Sequence, residues 1–346
     1  MVKIISKDIS KSERLTSILI LNYNGLKYVD KCLASILRTN YSNFEIIFID
    51  NASIDGSCEY VKRRYGDNLH LKIIKNERNY GFAKGNNIGA RYAKGDYLVF
   101  LNVDTEVEPD WLRELVRLMD SDSSLGAAQA KLLRMDDPRK LDTCGHKLTP
   151  YGFTYEIGLN DEANSYNDIL EILAGKGAAL MVRRSIFEEV GGFDEDYFLL
   201  REETDLCWRI WLRGYKVVFT PKAKVLHAIG GIFRKSDVQS IYFFQRNMLI
   251  TLIKNLEVEN LLKILLLHLV LLLADSLFAD LRSRKAYRLL TTMRCLNYIL
   301  GNLRRIWFKR LTVQNSRRIS DKELFKHVMA RISLMEKLRE RARVGL

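Results

Sequence analysis

The sequence predicts an α/β fold, a Rossmann-like mixed sheet flanked by helices and followed by a helical appendage. Three observations carry that expectation. Short β-branched runs alternate with helical stretches from Thr16 to about His227, three of the apolar runs end in polar clusters, and beyond Gly231 the pattern is helical almost throughout. A chain of 346 residues, 47% hydrophobic and 28% charged, suffices for one large domain plus an appendage and excludes a disordered protein.

In chain order, Ser17-Ile-Leu-Ile-Leu21 reads as the first buried strand, Asn22-Tyr-Asn-Gly25 as a turn, and the segment through Leu37 as a helix. A second strand, Phe44 to Ile49, closes on Asp50-Asn51. A third, Tyr97 to Leu101, ends in Asn102-Val103-Asp104, and Pro109 then opens a helix around Trp111 to Met119. Open parallel sheets bind ligands outside the carboxyl ends of their strands, so these ends are where a ligand is expected. From Gly126 the chain is less regular, with Pro138, Pro150 and the patch Tyr151-Gly-Phe-Thr-Tyr155, before an apolar run from Gly175 to Val182; these read as connections within the same domain. Helices are expected over Tyr242–Lys254, Asn260–Phe278, Lys285–Trp307 and Asp321–Arg343, the last with Phe325, Val328, Ile332, Met335 and Leu338 on one face. The resulting division is an N-terminal extension over 1–15, a core domain over 16–240 and a basic helical region over 241–346.

The formal charge of +13 is localised: Leu281 to Ser320 holds eleven Lys or Arg and no Asp or Glu. Such a block suits nucleic acid or anionic lipid, and the aliphatic Leu261–Phe278 just before it favours an anionic membrane surface. Lys263, His268 and Asp275 interrupt that run, and about 20 apolar residues are usual for a span, so it is expected to lie in the interface. No nucleic acid is expected, because the block follows a lipid-like helix. The polar N-terminus has no apolar secretory core, and five cysteines without a CxxC pair fit a reducing compartment. The expected location is the cytoplasmic face of a membrane, peripheral or monotopic.

Asp104 ends a strand in a short loop, where a carboxylate can reach a divalent cation on a diphosphate; it is equally placed to cap a turn ahead of Pro109. Glu202, Glu203 and Asp205 crowd three carboxylates into four positions. That crowding suits a general base, or an acidic first turn complementing a helix dipole. His227 closes a short strand and is either a structural histidine or, with Asp104 nearby, a metal ligand. Gly81 to Gly89 has neither dinucleotide nor P-loop spacing, which argues against a dehydrogenase or kinase. Trp208 and Trp211 sit on a helical stretch where packing is the commoner fate.

Taken in order, the motifs closely resemble those of family-two glycosyltransferases of GT-A fold, especially the rhamnosyltransferase-like branch. They are Asn22-Tyr-Asn-Gly25, Asp50-Asn-Ala-Ser53 with Asp55-Gly-Ser57, Asn79-Tyr-Gly-Phe-Ala83 with Gly85-Asn-Asn87, and Leu101-Asn-Val-Asp104. Later come Gly177-Ala-Ala179, Gly191-Gly-Phe-Asp194, Asp205-Leu-Cys207 with Arg209, Gly214-Tyr-Lys216 and Arg246-Asn247. The resemblance runs from about Ser17 to Asn255. It implies a nucleotide-diphosphate sugar donor bound by Asn22, Tyr23, Asn24, Asp50, Asn51, Ser53, Gly81, Phe82, Asn86, Asn102 and Asp104, with Asp50 contacting the base. It also implies Mg²⁺ or Mn²⁺ at Asp104. The family's Asp-x-Asp has Asn102 in its first position here, which makes His227 the natural second ligand. Glu203 falls on the base position, with Glu202 and Asp205 as alternates.

The expected activity is therefore an inverting, metal-assisted transfer to a hydroxyl of a lipid-linked or cell-envelope saccharide. A nucleotide-sugar-binding scaffold without turnover and a nucleic-acid-binding protein are the other classes the sequence leaves.

Overall fold

The computed structural model describes residues 13–230, 238–284 and 286–330. The first half alternates strand and helix: β1 (Thr16–Asn22), α1 (Leu26–Ile36), β2 (Phe44–Asp50), α2 (Ser57–Tyr65), β3 (Leu71–Lys75), α3 (Gly81–Ala90), β4 (Tyr97–Asn102), β5 (Thr105–Val107) and α4 (Trp111–Ser121). The expected irregular stretch is mostly short strands: β6 (Leu125–Arg134), β7 (Leu141–Thr143), β8 (His146–Leu148), β9 (Thr154–Glu156), β10 (Leu170–Glu171) and β11 (Ala179–Arg183). Then come α5 (Arg184–Glu189), α6 (Glu202–Leu212) and β12 (Lys216–His227). The rest is helical: α7 (Val238–Asn255), α8 (Val258–Ser283), α9 (Tyr287–Gly301), α10 (Leu303–Asn315) and α11 (Asp321–Val328).

Ten strands form one sheet in the order β10-β12-β6-β11-β4-β1-β2-β3, with β5 attached to β12 and β7 to β6. Strands β1 to β4 pair in parallel, while β11 runs antiparallel between β4 and β6. Period-two alternation explains why the central strands are apolar throughout. Ile18, Ile20, Phe48 and Val99 enter the core beneath α1, α2 and α4, whereas Leu19, Ile47, Ile49 and Phe100 enter the core on the other face. Gly85 and Gly89 let α3 lie close on that second face, since an added Cβ would come 2.6 Å from Leu21 and from Ile49 respectively.

The helical layer begins at Val238, so the division expected at 240 falls inside α7. Its buried residues Met248, Leu252, Leu272, Cys295 and Ile306 join the same core as Leu19 and Trp208. The layer is thus built onto the sheet. The single helix expected over Lys285–Trp307 is two, because the chain breaks at Asn302, whose side-chain amide donates to the Tyr298 carbonyl at 2.8 Å. Ile332, Met335 and Leu338, like the first twelve residues of the expected extension, lie outside the described residues. All five cysteines are buried and free.

Candidate active site

Parallel register puts Asn22 beside Asp50 at the ends of β1 and β2. The Asn22 Nδ2 lies 3.0 Å from Asp50 Oδ1, 3.0 Å from Ser53 Oγ and 2.7 Å from Ser57 Oγ. Asp50 Oδ2 accepts from the Ser53 backbone amide at 3.2 Å. Asn51 donates to Asn79 Oδ1 at 2.7 Å and to the Gly81 carbonyl, and its own oxygen accepts from Asn76 and from the Tyr80 amide. Asn86 donates to the Phe82 carbonyl. Asn22, Asp50, Asn51 and Asn86 are at most 1% exposed. Asp50, which the resemblance places against the base, lies buried in this network, where its two oxygens hold the loops after β1 and β2 together. The side chains that reach the surface at these strand ends are Tyr23, Asn24, Ser53, Phe82 and Asn102.

Gly81 adopts a left-handed φ of +75°, and an added Cβ would come 2.2 Å from the Phe198 carbonyl. The next amide, Phe82 N, donates to that carbonyl at 2.7 Å, stitching the loop after β3 to the turn before α6. Only glycine fits there.

Asp104 and His227 meet because β12 runs antiparallel to β5, with His227 opposite Thr105, and the Ala228 amide donates to the Asp104 carbonyl. Asp104 therefore does not cap α4, which starts at Trp111. His227 Nε2 lies 3.5 Å from Asp104 Oδ1, and both residues are nearly buried. The other ring nitrogen, Nδ1, lies 2.8 Å from Asp142 Oδ2. Lys176 Nζ in turn lies 2.8 and 2.7 Å from the two Asp142 oxygens.

Burial alone would push the Asp142 carboxyl up, but the Lys176 ammonium and His227 hold it well below the usual carboxylate range. Burial likewise opposes charge on His227, yet its hydrogen bonds to Asp104 and Asp142 raise its pKa above the ordinary 6.5. Lys176 is raised too, because Asp142, Glu156 and Glu203 outweigh its burial. Asp142 and Lys176 were not singled out in the sequence. The available signals were an acid inside a three-residue apolar strand and one cation between two glycines.

The donor set suits a divalent cation: a carboxylate oxygen and an imidazole nitrogen face each other, and the imidazole is oriented by a second carboxylate. Among the described residues no group of three or more His, Cys, Asp or Glu gathers to hold a metal, so the remaining ligands would come from substrate or water.

The acidic cluster separates by burial. Glu202, Glu203 and Asp205 all lie in the first turn of α6, as the dipole argument expects, yet their surroundings differ. Asp205 is fully buried and bound by Arg209 at 2.9 Å, Lys254 at 2.9 Å and Asn255 at 3.1 Å. As an alternate base it is corrected, because both oxygens are committed to an ion cluster away from water. Glu202 is 4% exposed, and its Oε2 has no partner. Burial first, and neighbouring Glu203 second, push its pKa well above 4.5. Glu203 alone of the three is partly exposed.

The turn that presents them is held by the later motifs. Arg209 donates to the carbonyls of Val190 and Gly192, and Asn247 donates to those of Leu199 and Leu200. Asp194 accepts from both Lys254 and Lys309, and Asp196 pairs with Lys309 at 2.7 Å and Arg305 at 3.3 Å, tying α10 to the same turn. Trp208 and Trp211 pack in the core, the latter donating to the Ile172 carbonyl.

A mixed sheet flanked by helices, with further helices after it, is the fold of the GT-A glycosyltransferases. The chain superposes on the crystal structure of GalNAc-T7 with UDP, GalNAc and Mn²⁺ with a TM-score of 0.59 at 18% identity, covering 84% of this chain and 58% of that one. The glycosyl transferase family 2 profile matches residues 17–191, and the chain belongs to that family. Asp104, Asp142 and Lys176 fall inside the matched segment, and Glu202, Glu203 and His227 beyond it.

Among curated relatives, the O-antigen biosynthesis protein RfbC of Myxococcus xanthus is 27% identical over 205 residues, 58% of this chain and 16% of that protein. The poly-beta-1,6-N-acetyl-D-glucosamine synthase of Staphylococcus aureus (strain COL) is 25% identical over 224 residues, 63% of this chain and 52% of that protein. The chain thus spans about a sixth of one relative and about half of the other.

Proposed function

We propose that the chain transfers a sugar from a nucleoside-diphosphate donor to a hydroxyl of a membrane-presented saccharide, with inversion and with a divalent cation. The observation that carries this reading is the row Lys176–Asp142–His227–Asp104 at the strand ends, with the partly exposed Glu203 near enough to influence Lys176. Membership of glycosyl transferase family 2, and the UDP and Mn²⁺ bound by GalNAc-T7, support it.

Asp104 and His227 would hold Mg²⁺ or Mn²⁺, which neutralises the charge that develops on a departing diphosphate. Asp142 takes the Nδ1 proton of His227 as a hydrogen bond and leaves Nε2 aimed at Asp104; Lys176 keeps Asp142 ionised. Tyr23, Asn24, Ser53, Phe82 and Asn102 line the donor side. Burial keeps Glu202 protonated, so Glu203 is the carboxylate free to accept a proton from the acceptor hydroxyl. The hydroxyl oxygen bonds to the anomeric carbon as the bond to the diphosphate breaks. One displacement inverts the configuration.

The membrane placement is supported by α8, a 26-residue helix whose most apolar 18-residue stretch has a mean hydropathy of 2.2. Its outward stripe is Leu262, Leu266, Val270, Leu277 and Leu281, exposed by 68, 67, 56, 48 and 70%. On a water-facing surface that stripe would be polar. Leu303, Trp307 and Leu311 repeat the pattern on α10, and exposed Arg282, Arg284, Arg294 and Arg304 provide the charge for anionic headgroups. The inner face of α8 is tethered: His268 contacts the Tyr151 carbonyl and packs on Phe153, and Ser276 bonds Thr292. A helix pinned in this way lies along a bilayer surface.

The test is release of nucleoside diphosphate from UDP-, dTDP- and GDP-sugars with Mg²⁺ or Mn²⁺, alongside flotation with vesicles. Metal-dependent release from one donor is expected. Donor binding without turnover, with any saccharide acceptor supplied, would instead support a scaffold.

A further inference from the structure

Six Lys or Arg residues among those described are buried: Lys131, Arg201, Arg209, Arg246, Lys254 and Arg310. Five are partnered. Lys131 donates to the Tyr166 carbonyl, Arg209 to Asp205, Arg246 to Asn247 and the Asp196 carbonyl, Lys254 to Asp194, and Arg310 to the carbonyls of Ile253 and Leu256. Arg201 is the exception. It is 7% exposed, its Nε is sealed without a partner, and its guanidinium makes no hydrogen bond or ion pair among the described residues. Glu202, Glu203 and Glu156 contribute favourable potential but none comes within ion-pair distance. The guanidinium carbon lies over the Phe244 ring, 3.9 Å from its centroid, a contact that uses none of its N–H donors.

A buried, unpaired guanidinium is costly in the free protein, and its planar fork matches the oxygens of a phosphate or carboxylate. Arg201 directly precedes Glu202 and Glu203 and is held at a φ of 71° by the turn that Asn247 fastens. In an inverting displacement the base lies across the anomeric carbon from the leaving diphosphate. A cation next to the base is therefore on the acceptor's side.

We propose that Arg201 receives an anionic group, phosphate or carboxylate, carried by the acceptor close to the attacking hydroxyl. This selects acidic over neutral saccharides and rests on Glu203 being the base. The acceptor is then bound by two opposite charges, with Arg201 on the anion and Glu203 on the hydroxyl.

The experiment titrates methyl phosphate into the full chain with saturating UDP and Mn²⁺, followed by ³¹P NMR, for wild type, Arg201→Gln and Arg201→Lys. UDP affinity and thermal midpoint are measured on the same samples. Saturable binding to wild type is expected, weakened about tenfold or more in Arg201→Gln and less in Arg201→Lys. If Arg201→Gln does not fold, Arg201→Lys reads the loss of the planar fork. No saturable binding to wild type, or equal binding to the Gln variant, overturns the proposal. So does a loss of UDP affinity that matches the loss of methyl phosphate, which would assign the anion to the donor. Arg201-dependent methyl phosphate binding in a protein inert towards every nucleotide sugar would sink the transferase reading and leave the oxyanion site standing.

Discussion

The strand ends and the start of α6 differ in how fully their polar groups are paired. At the ends of β1 and β2 most polar groups are paired: Asn51 makes four hydrogen bonds, and the Asn22 amide nitrogen reaches Asp50, Ser53 and Ser57, while Asn22 Oδ1 stays buried without a partner. At the start of α6, Arg201 Nε, Glu202 Oε2 and Thr204 Oγ1 are all buried without partners. Leu200 and Arg201, neither of them glycine, also take consecutive left-handed conformations. The first region is a hydrogen-bonded frame with one oxygen, Asn22 Oδ1, left over, and its left-handed residues Asn24 and Ala52 are not consecutive. The second stores unfavourable terms next to the reacting group, as sites awaiting a ligand do.

That contrast is broken or sharpened by four measurements. The largest effect is expected at Glu203: Glu203→Gln should lower the rate of transfer by about 10²–10⁴-fold with donor binding kept, and a near-normal rate would remove it as base. Next, Asp205→Ala should leave Lys254 and Arg209 without a buried counter-charge and destabilise the fold by about 3–5 kcal/mol, read from urea denaturation. A loss of rate without loss of stability would return Asp205 to the list of bases. Asp142→Asn should weaken Mn²⁺ binding about 10–100-fold by calorimetry, since His227 loses the carboxylate that orients it. Unchanged affinity would mean that the row is structural only.

The smallest effect concerns Glu202. Its folded pKa is raised above 4.5, so the stability it contributes is complete below that pH and is lost as pH rises towards the raised value. Glu202→Gln should therefore gain on wild type in melting temperature as pH increases from 4.5, with the gap closing in acid. A constant gap would contradict a buried, protonated Glu202.

The sheet was legible because its strands obey a period of two and end in polar clusters, and the pairing of β1 with β2 brings two of those clusters side by side. The roles of individual side chains were less so. Glu202, Glu203 and Asp205 look equivalent on paper, but at about 100° per residue they point in different directions, one of them into Lys254 and Arg209. Asp142 reaches His227 from 85 positions away, through the pairing of β7 with β6 and of β6 with β12. No local pattern encodes such a contact. Asp50 adds to this, since its hydrogen bonds to Asn22 and the Ser53 amide, which tie two loops together, are not visible in the motif itself. The break at Asn302 was hidden because both flanking segments share one helical composition.

The pairs from Lys309 and Arg305 on α10 to Asp194 and Asp196 give the molecule a fixed ruler. These pairs join the turn before Glu203 to the helix that carries outward Leu303, Trp307 and Leu311. On the proposed reading, the height at which a hydroxyl is reached becomes a property of the protein's architecture, and acceptors would be sorted by how far their sugar stands off the surface that α10 faces.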